Sequence, residues 1–132
     1  MKNLIFTLIA VGILFSCNND DDSNSNTELI GNWKLIEVLA DPGDGSGSFY
    51  SVESEKIITF KSGGIITSNG NLCDMAINSD NQTSGTYSNS ESTFNSSDCN
   101  NIDYNYTFEQ NGDILILNYR CIEPCLAKYK KK

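Results

Sequence analysis

Histidine is absent from all 132 residues of the chain. That removes the usual general base and the commonest metal ligand together. No Ser-His-Asp or Cys-His arrangement can form within the chain, and carboxylates are the only acid–base groups left. An enzyme is therefore not expected, nor a cofactor or a resident metal. Positive charge is also scarce, with nine Lys plus Arg against seventeen Asp plus Glu and a formal net charge of −8. Neutralising phosphates needs a basic face, so no nucleic acid partner is expected. Beyond residue 17, amphipathic helical periodicity is missing. Nothing in the chain is apolar over the roughly 20 residues that a membrane-spanning helix needs.

One apolar run is present, Leu4 to Phe15, interrupted by Thr7 and Gly12 and preceded by Lys2. Its length and its charge fit the core of a secretory signal peptide. The segment Leu14-Phe15-Ser16-Cys17 that follows resembles the lipobox of bacterial lipoproteins. In that family the Cys thiol takes a diacylglyceryl group, the peptide is cut before the Cys, and the new amine is acylated. The resemblance implies a signal peptide over 1–16 and acyl chains, palmitate among them, on Cys17. Several chains make membrane attachment effectively permanent, since each buried methylene contributes about 0.8 kcal/mol.

Residues 17–28 then form the lipidated Cys and an acidic tether. Asn18 to Thr27 are all Asn, Asp, Ser and Thr, with three aspartates at 20–22, and such a stretch buries no apolar area. An acidic run in this place resembles the surface-export signal of some Gram-negative groups. Outer-membrane anchoring with outward exposure is the expectation, the periplasmic face the alternative. Without Lys2, eight Lys plus Arg stand against seventeen Asp plus Glu, a formal charge of −9 for the remainder.

Residues 29–132 read as one all-β domain. Short runs rich in Ile, Val, Tyr, Phe and Thr alternate with clusters of Gly, Asn, Asp and Ser. Eight such runs are recognisable: 32–39, 55–60, 65–68, 83–88, 92–95, 103–109, 113–119 and 126–130. In the sixth, Tyr104, Tyr106 and Phe108 share one face and Asn105, Thr107 and Glu109 the other. The seventh is apolar on both faces at Ile114 to Leu117, and Asn111-Gly112 between the two is a strong hairpin signal. Eight sequential strands suggest an antiparallel up-and-down meander, and closing it into a barrel removes its exposed edges.

A resemblance accompanies this pattern. Leu29-x-Gly31-x-Trp33 is similar to the opening of lipocalins. The stretch Leu29 to Phe60, with its Asp-Pro-Gly-Asp-Gly-Ser-Gly loop, and the closing Cys121 to Tyr129 resemble the lipocalin-like domain of small bacterial lipoproteins. The family implies an eight-stranded barrel with room for a ligand. It also implies that Gly31 and Trp33 form one barrel end, with Trp33 covered by a basic side chain of the last strand. Lys128 or Lys130 is expected in that role. Arg120, the single arginine, falls at the opposite end.

Four cysteines remain after Cys17, namely Cys73, Cys99, Cys121 and Cys125. An even number in an exported small domain reads as disulfides in one of three connectivities, with a four-cysteine zinc site as the lesser alternative. Cys121 and Cys125 flank a tight turn containing Pro124, within disulfide reach across a hairpin, which leaves Cys73 for Cys99. With the first strand running away from the tether, all four cysteines and the long loops collect at the far end. Asp41 and Asp44 in the Gly-rich loop fall short of the ligand count of a calcium site. The expected function is binding of a small apolar ligand, with Tyr104, Tyr106, Phe108 and Tyr50 as candidate contacts. The alternative is a protein- or glycan-interaction module with a filled core and disulfide-stiffened loops.

Overall fold

Side-chain alternation along the first strand sets the geometry of the whole domain. The computed structural model describes residues 28–100 and 103–132. Strand β1 (Gly31–Ala40) buries Trp33 and Leu35 on one face. It carries a bulge between Leu35 and Glu37 in its pairing with the last strand. The extra residue, Ile36, resets the parity, so that Val38 rather than Glu37 is the next residue to point inward.

Two segments share one edge of β1. β2 (Tyr50–Ser51) pairs Tyr50 with Val38, and β3 (Ile57–Lys61) pairs Ile57 to Phe60 with Lys34 to Gly31. Between them Val52 donates its N–H to the Ile36 carbonyl at 3.1 Å, and Leu35 donates to the Lys56 carbonyl at 3.0 Å. They act as one interrupted strand. The chain continues through β4 (Ile65–Ser68), β5 (Thr83–Ser88), β6 (Thr93–Asn95), β7 (Tyr106–Asn111), β8 (Ile114–Asn118) and β9 (Cys125–Lys131). Each is antiparallel to its predecessor, and β9 pairs with β1. The result is a closed antiparallel barrel of eight strand positions, the expected fold class.

Boundaries moved where tertiary contacts intervene. The second expected strand begins at Ile57 rather than at residue 55, with the separate short β2 ahead of it, and the strand expected from residue 103 starts at Tyr106. There Asn95 Nδ2 donates to the Tyr104 carbonyl at 2.8 Å, so the chain before Tyr106 is held by a side chain rather than by a ladder. The Asn111-Gly112 hairpin is present, displaced by one residue. Asn111 pairs with Ile114, which leaves Gly112 and Asp113 as the turn. Gly112 has φ 59°, and glycine suits the first turn position of a type II′ hairpin, where φ is positive.

Inward side chains fill the barrel. Ile58, Ile66, Leu115, Leu117 and Ala127 are fully buried, and the aromatic rings meet edge to face or stacked, Phe60 with Phe108 at 5.5 Å and Phe94 with Tyr106 at 5.2 Å between centroids. Such pairs contribute about 0.5–1.5 kcal/mol beyond area burial. The grooves lined by Thr107, Glu109 and Ile116, and by Ile57, Thr59 and Thr67, are open and lie on the outside of the sheet.

The end where the described chain begins is closed by Trp33, which is fully buried and donates Nε1–H to the Leu29 carbonyl at 2.8 Å. The cation over its ring is Lys131, with Nζ 5.3 Å from the centroid, and not Lys128 or Lys130. Parity explains the correction. Cys125, Ala127 and Tyr129 point inward, so the next inward residue is Lys131, which is the ladder partner of Trp33. Lys131 also donates to the Glu28 carbonyl. Lys128 and Lys130 face outward, Lys128 against Glu37 and 4.0 Å from the Phe49 centroid, Lys130 3.8 Å from Asp113. Gly31 lies at this end with φ 133°, a backbone angle that side-chain-bearing residues rarely adopt.

Candidate functional site

The opposite, distal end gathers the long connections, among the described residues 41–49, 69–82, 96–100 with 103–105, and 119–124, whereas the proximal turns are short. Long loops on a rigid scaffold are where recognition is usually built. Both disulfides are here, in the expected pairing. Cys73 joins Cys99 with Cα atoms 5.3 Å apart, and Cys121 joins Cys125 at 6.0 Å.

The segment 69–82 folds over the barrel mouth and seals it. Leu72 is fully buried, and Cys73 and Met75 pack against the core. Thr83 Oγ1 donates to the Gly70 carbonyl at 2.7 Å and accepts from the Leu72 N–H at 3.0 Å. Under this segment lies Lys56, a fully buried lysine. Its ammonium donates to the carbonyls of Asp74 at 3.3 Å and Ala76 at 2.7 Å. Burial lowers its pKa to about 8, and the Asp74 carboxylate opposes that shift. Its stem runs beside Gly70, where any Cβ would meet the Asn78 carbonyl at 2.2 Å and the Lys56 Cγ at 3.1 Å. Sequence reasoning missed Lys56, although it shares parity with the inward Ile58 and Phe60.

The Gly-rich loop is organised by Asp41. Its carboxylate accepts the N–H groups of Gly43 at 2.7 Å, Gly45 at 3.1 Å and Gly47 at 2.8 Å, and these bonds lower its pKa. Both oxygens are turned to the loop's own backbone. Asp44 accepts from the Ser46 N–H at 2.9 Å in the same way. The Asp41 N–H bonds the Pro124 carbonyl at 3.0 Å, which docks this loop on the Cys121–Cys125 turn.

The candidate contact residues separate into two sets. Tyr106 and Phe108 are buried in the core and Tyr104 is half-buried at the rim, where the Arg120 guanidinium stacks 4.8 Å from its centroid. Tyr50 is exposed on β2, and Ile122, at the tip of the cystine turn, is wholly exposed. Asp41, Asp44, Asp74, Asp98, Asp103 and Glu123 give each rim loop a negative charge. Arg120 is the one exposed cation of those loops among the described residues. Inside the barrel, the Tyr119 and Tyr129 hydroxyls are buried facing one another, and burial raises the pKa of both. Cys17 and the whole of the lipobox lie outside the described residues.

No family model, curated protein or solved structure matches the chain.

Proposed function

We propose that this chain is a lipid-anchored outer-membrane protein whose lipocalin-like barrel works as an interaction module, meeting a protein or glycan partner with its distal rim. The observation that carries this reading is the filled interior. Trp33, Phe60, Phe94, Phe108 and Tyr129 occupy the space that a ligand would take, and Leu72 stoppers the mouth. Affinity then has to be built on the outside. The rim supplies wholly exposed Ile122 and a stacked Arg120 on the loop held by the Cys121–Cys125 disulfide, and β2 adds exposed Tyr50. Rigid loops lose little conformational entropy on binding. The lipobox resemblance and the polar tether supply the address, and the barrel's orientation, with residue 28 at the end opposite the rim, turns these loops away from the membrane.

The second reading, binding of a small apolar ligand, draws support from the pair of buried tyrosine hydroxyls inside the barrel, Tyr119 and Tyr129. One experiment separates the two. A photo-crosslinking amino acid is installed at position 122, and in a second variant at position 65 near the proximal end, in the full chain expressed in its membrane. A discrete adduct at 122 and none at 65, with no fatty acid retained in native mass spectra, is the expected result. Retained lipid, or adducts formed equally at both positions, refutes the rim reading. The anchor is tested alongside, since Cys17→Ser should lose incorporation of an alkyne palmitate analogue and release the protein from membranes.

A further inference from the structure

The chain holds two Asn-Gly steps, Asn69-Gly70 and Asn111-Gly112, in opposite environments. At such a step the main-chain nitrogen of the glycine can attack the asparagine Cγ. The N–Cγ bond forms, the Cγ–Nδ2 bond breaks, and ammonia leaves with the proton from the glycine nitrogen. Water then opens the resulting five-membered imide at either carbonyl, leaving aspartate or isoaspartate. Water is the sole co-reactant and nothing is oxidised or reduced. The reaction needs a mobile asparagine side chain and a backbone free to rotate away from the extended conformation.

Asn69 has neither. Its Oδ1 accepts the Ile57 N–H at 2.7 Å, and its Nδ2 donates to the Glu55 carbonyl at 2.9 Å. Its own N–H bonds the Ile57 carbonyl at 3.2 Å. Gly70 behind it is buried, with the Asn78 carbonyl and the Lys56 stem against its Cα. Asn111 has both. Its side chain is exposed and makes no hydrogen bond among the described residues. It belongs to the last ladder pair before the turn, opposite Ile114, where fraying costs least. Gly112 is exposed, and a Cβ placed there would meet nothing within 4 Å.

We infer that Asn111 is a site of spontaneous deamidation in the folded protein and that Asn69 is protected from the same reaction by its hydrogen bonds to the start of β3. The product carries a new negative charge two residues from Asp113, whose carboxylate lies 3.8 Å from Lys130. In the isoaspartyl form the backbone gains a methylene next to a two-residue turn, which loosens the β7–β8 register.

The test ages the full chain, natively folded and with both disulfides intact, in mildly alkaline buffer, and maps peptides for the one-dalton gain and for isoaspartate. A parallel sample is unfolded in denaturant with its disulfides reduced. The Asn111 peptide should convert about tenfold or more faster than the Asn69 peptide in the folded sample, a ratio set by the difference in local opening. The two should converge on unfolding. Equal rates in the folded sample overturn the inference, as does an Asn111 peptide that converts only after unfolding.

Discussion

Removing the two disulfides one at a time should cost different amounts, and the order follows from topology alone. Cys73–Cys99 closes a loop of sequence separation 26, and Cys121–Cys125 one of separation 4. On the chain-entropy relation the first restricts the unfolded state by about 3.5 kcal/mol and the second by about 1.9 kcal/mol. Each pair has one buried cysteine, Cys99 at 4% and Cys125 at 2% exposure, and Cys73 also packs against the core whereas Cys121 is exposed, so native-state losses add to the same order. The comparison is therefore between Cys73→Ala/Cys99→Ala and Cys121→Ala/Cys125→Ala in urea titrations. A gap of about 1.6 kcal/mol corresponds to a midpoint difference near 1 M for a domain of this size. If the short-loop variant proves equally or more destabilised, the unfolded-state argument fails. The stability contribution would then have to be sought in the native rim, through the Asp41–Pro124 bond that docks the Gly-rich loop.

Stability should rise as pH increases from about 8 towards 10. Lys56 is near pKa 8 when folded and 10.5 as the reference, so in that window the unfolded chain holds a proton that the folded chain has released. The contribution is at most about 3 kcal/mol. Above about pH 10 the sign reverses, because Tyr119 and Tyr129 are raised by burial and ionise first in the unfolded chain. Urea midpoints across this range check both limbs, and Lys56→Met should flatten the first limb alone. Gly85→Ala should be severe, about 3 kcal/mol or more as overpacking against backbone, since its Cβ would fall 2.0 Å from the Asn95 carbonyl. A thermal melt within a few degrees of the parent would contradict that geometry.

Most of the barrel was legible because alternation and turn residues agree along the chain. Ile65–Ser68 and Thr83–Ser88 coincide with their expected runs, and the cystine pairing followed from the tight Cys121–Cys125 turn. The residues that close the two ends were not legible in the same way. Lys56 lies near the start of the second expected run, ahead of Ile57, and Lys131 just past the end of the last, where a charged side chain gives no sign of burial. Each is nevertheless in phase with inward neighbours, Ile58 and Phe60 in one case, Ala127 and Tyr129 in the other. The alternation was present in the sequence, but the carbonyls that accept those ammonium groups are supplied by Asp74, Ala76 and Glu28, distant in the chain. Segment 69–82 looked like a polar loop, and only its packing reveals Leu72 as a stopper. Tyr50 was expected in a loop and pairs with β1 because Val38 offers an edge that β3 does not reach.

The seam between β1 and β9 has a consequence for how the protein reaches this state. It is the most extensive ladder of the barrel, running from Trp33–Lys131 to Ala40–Cys125, and it joins the first strand to the last. Every other ladder links strands that are neighbours in sequence and can zip locally. Closure is thus the least local event in folding, and chains dominated by such contacts fold slowly. Until β9 arrives, β1 and β8 are both open edges, and the inner faces with Trp33, Leu35, Leu115 and Leu117 are uncovered. Two chains at that stage present complementary edges to one another. A β9 donated by a neighbour would complete the same ladder, so high concentration during folding favours exchanged dimers over closed monomers.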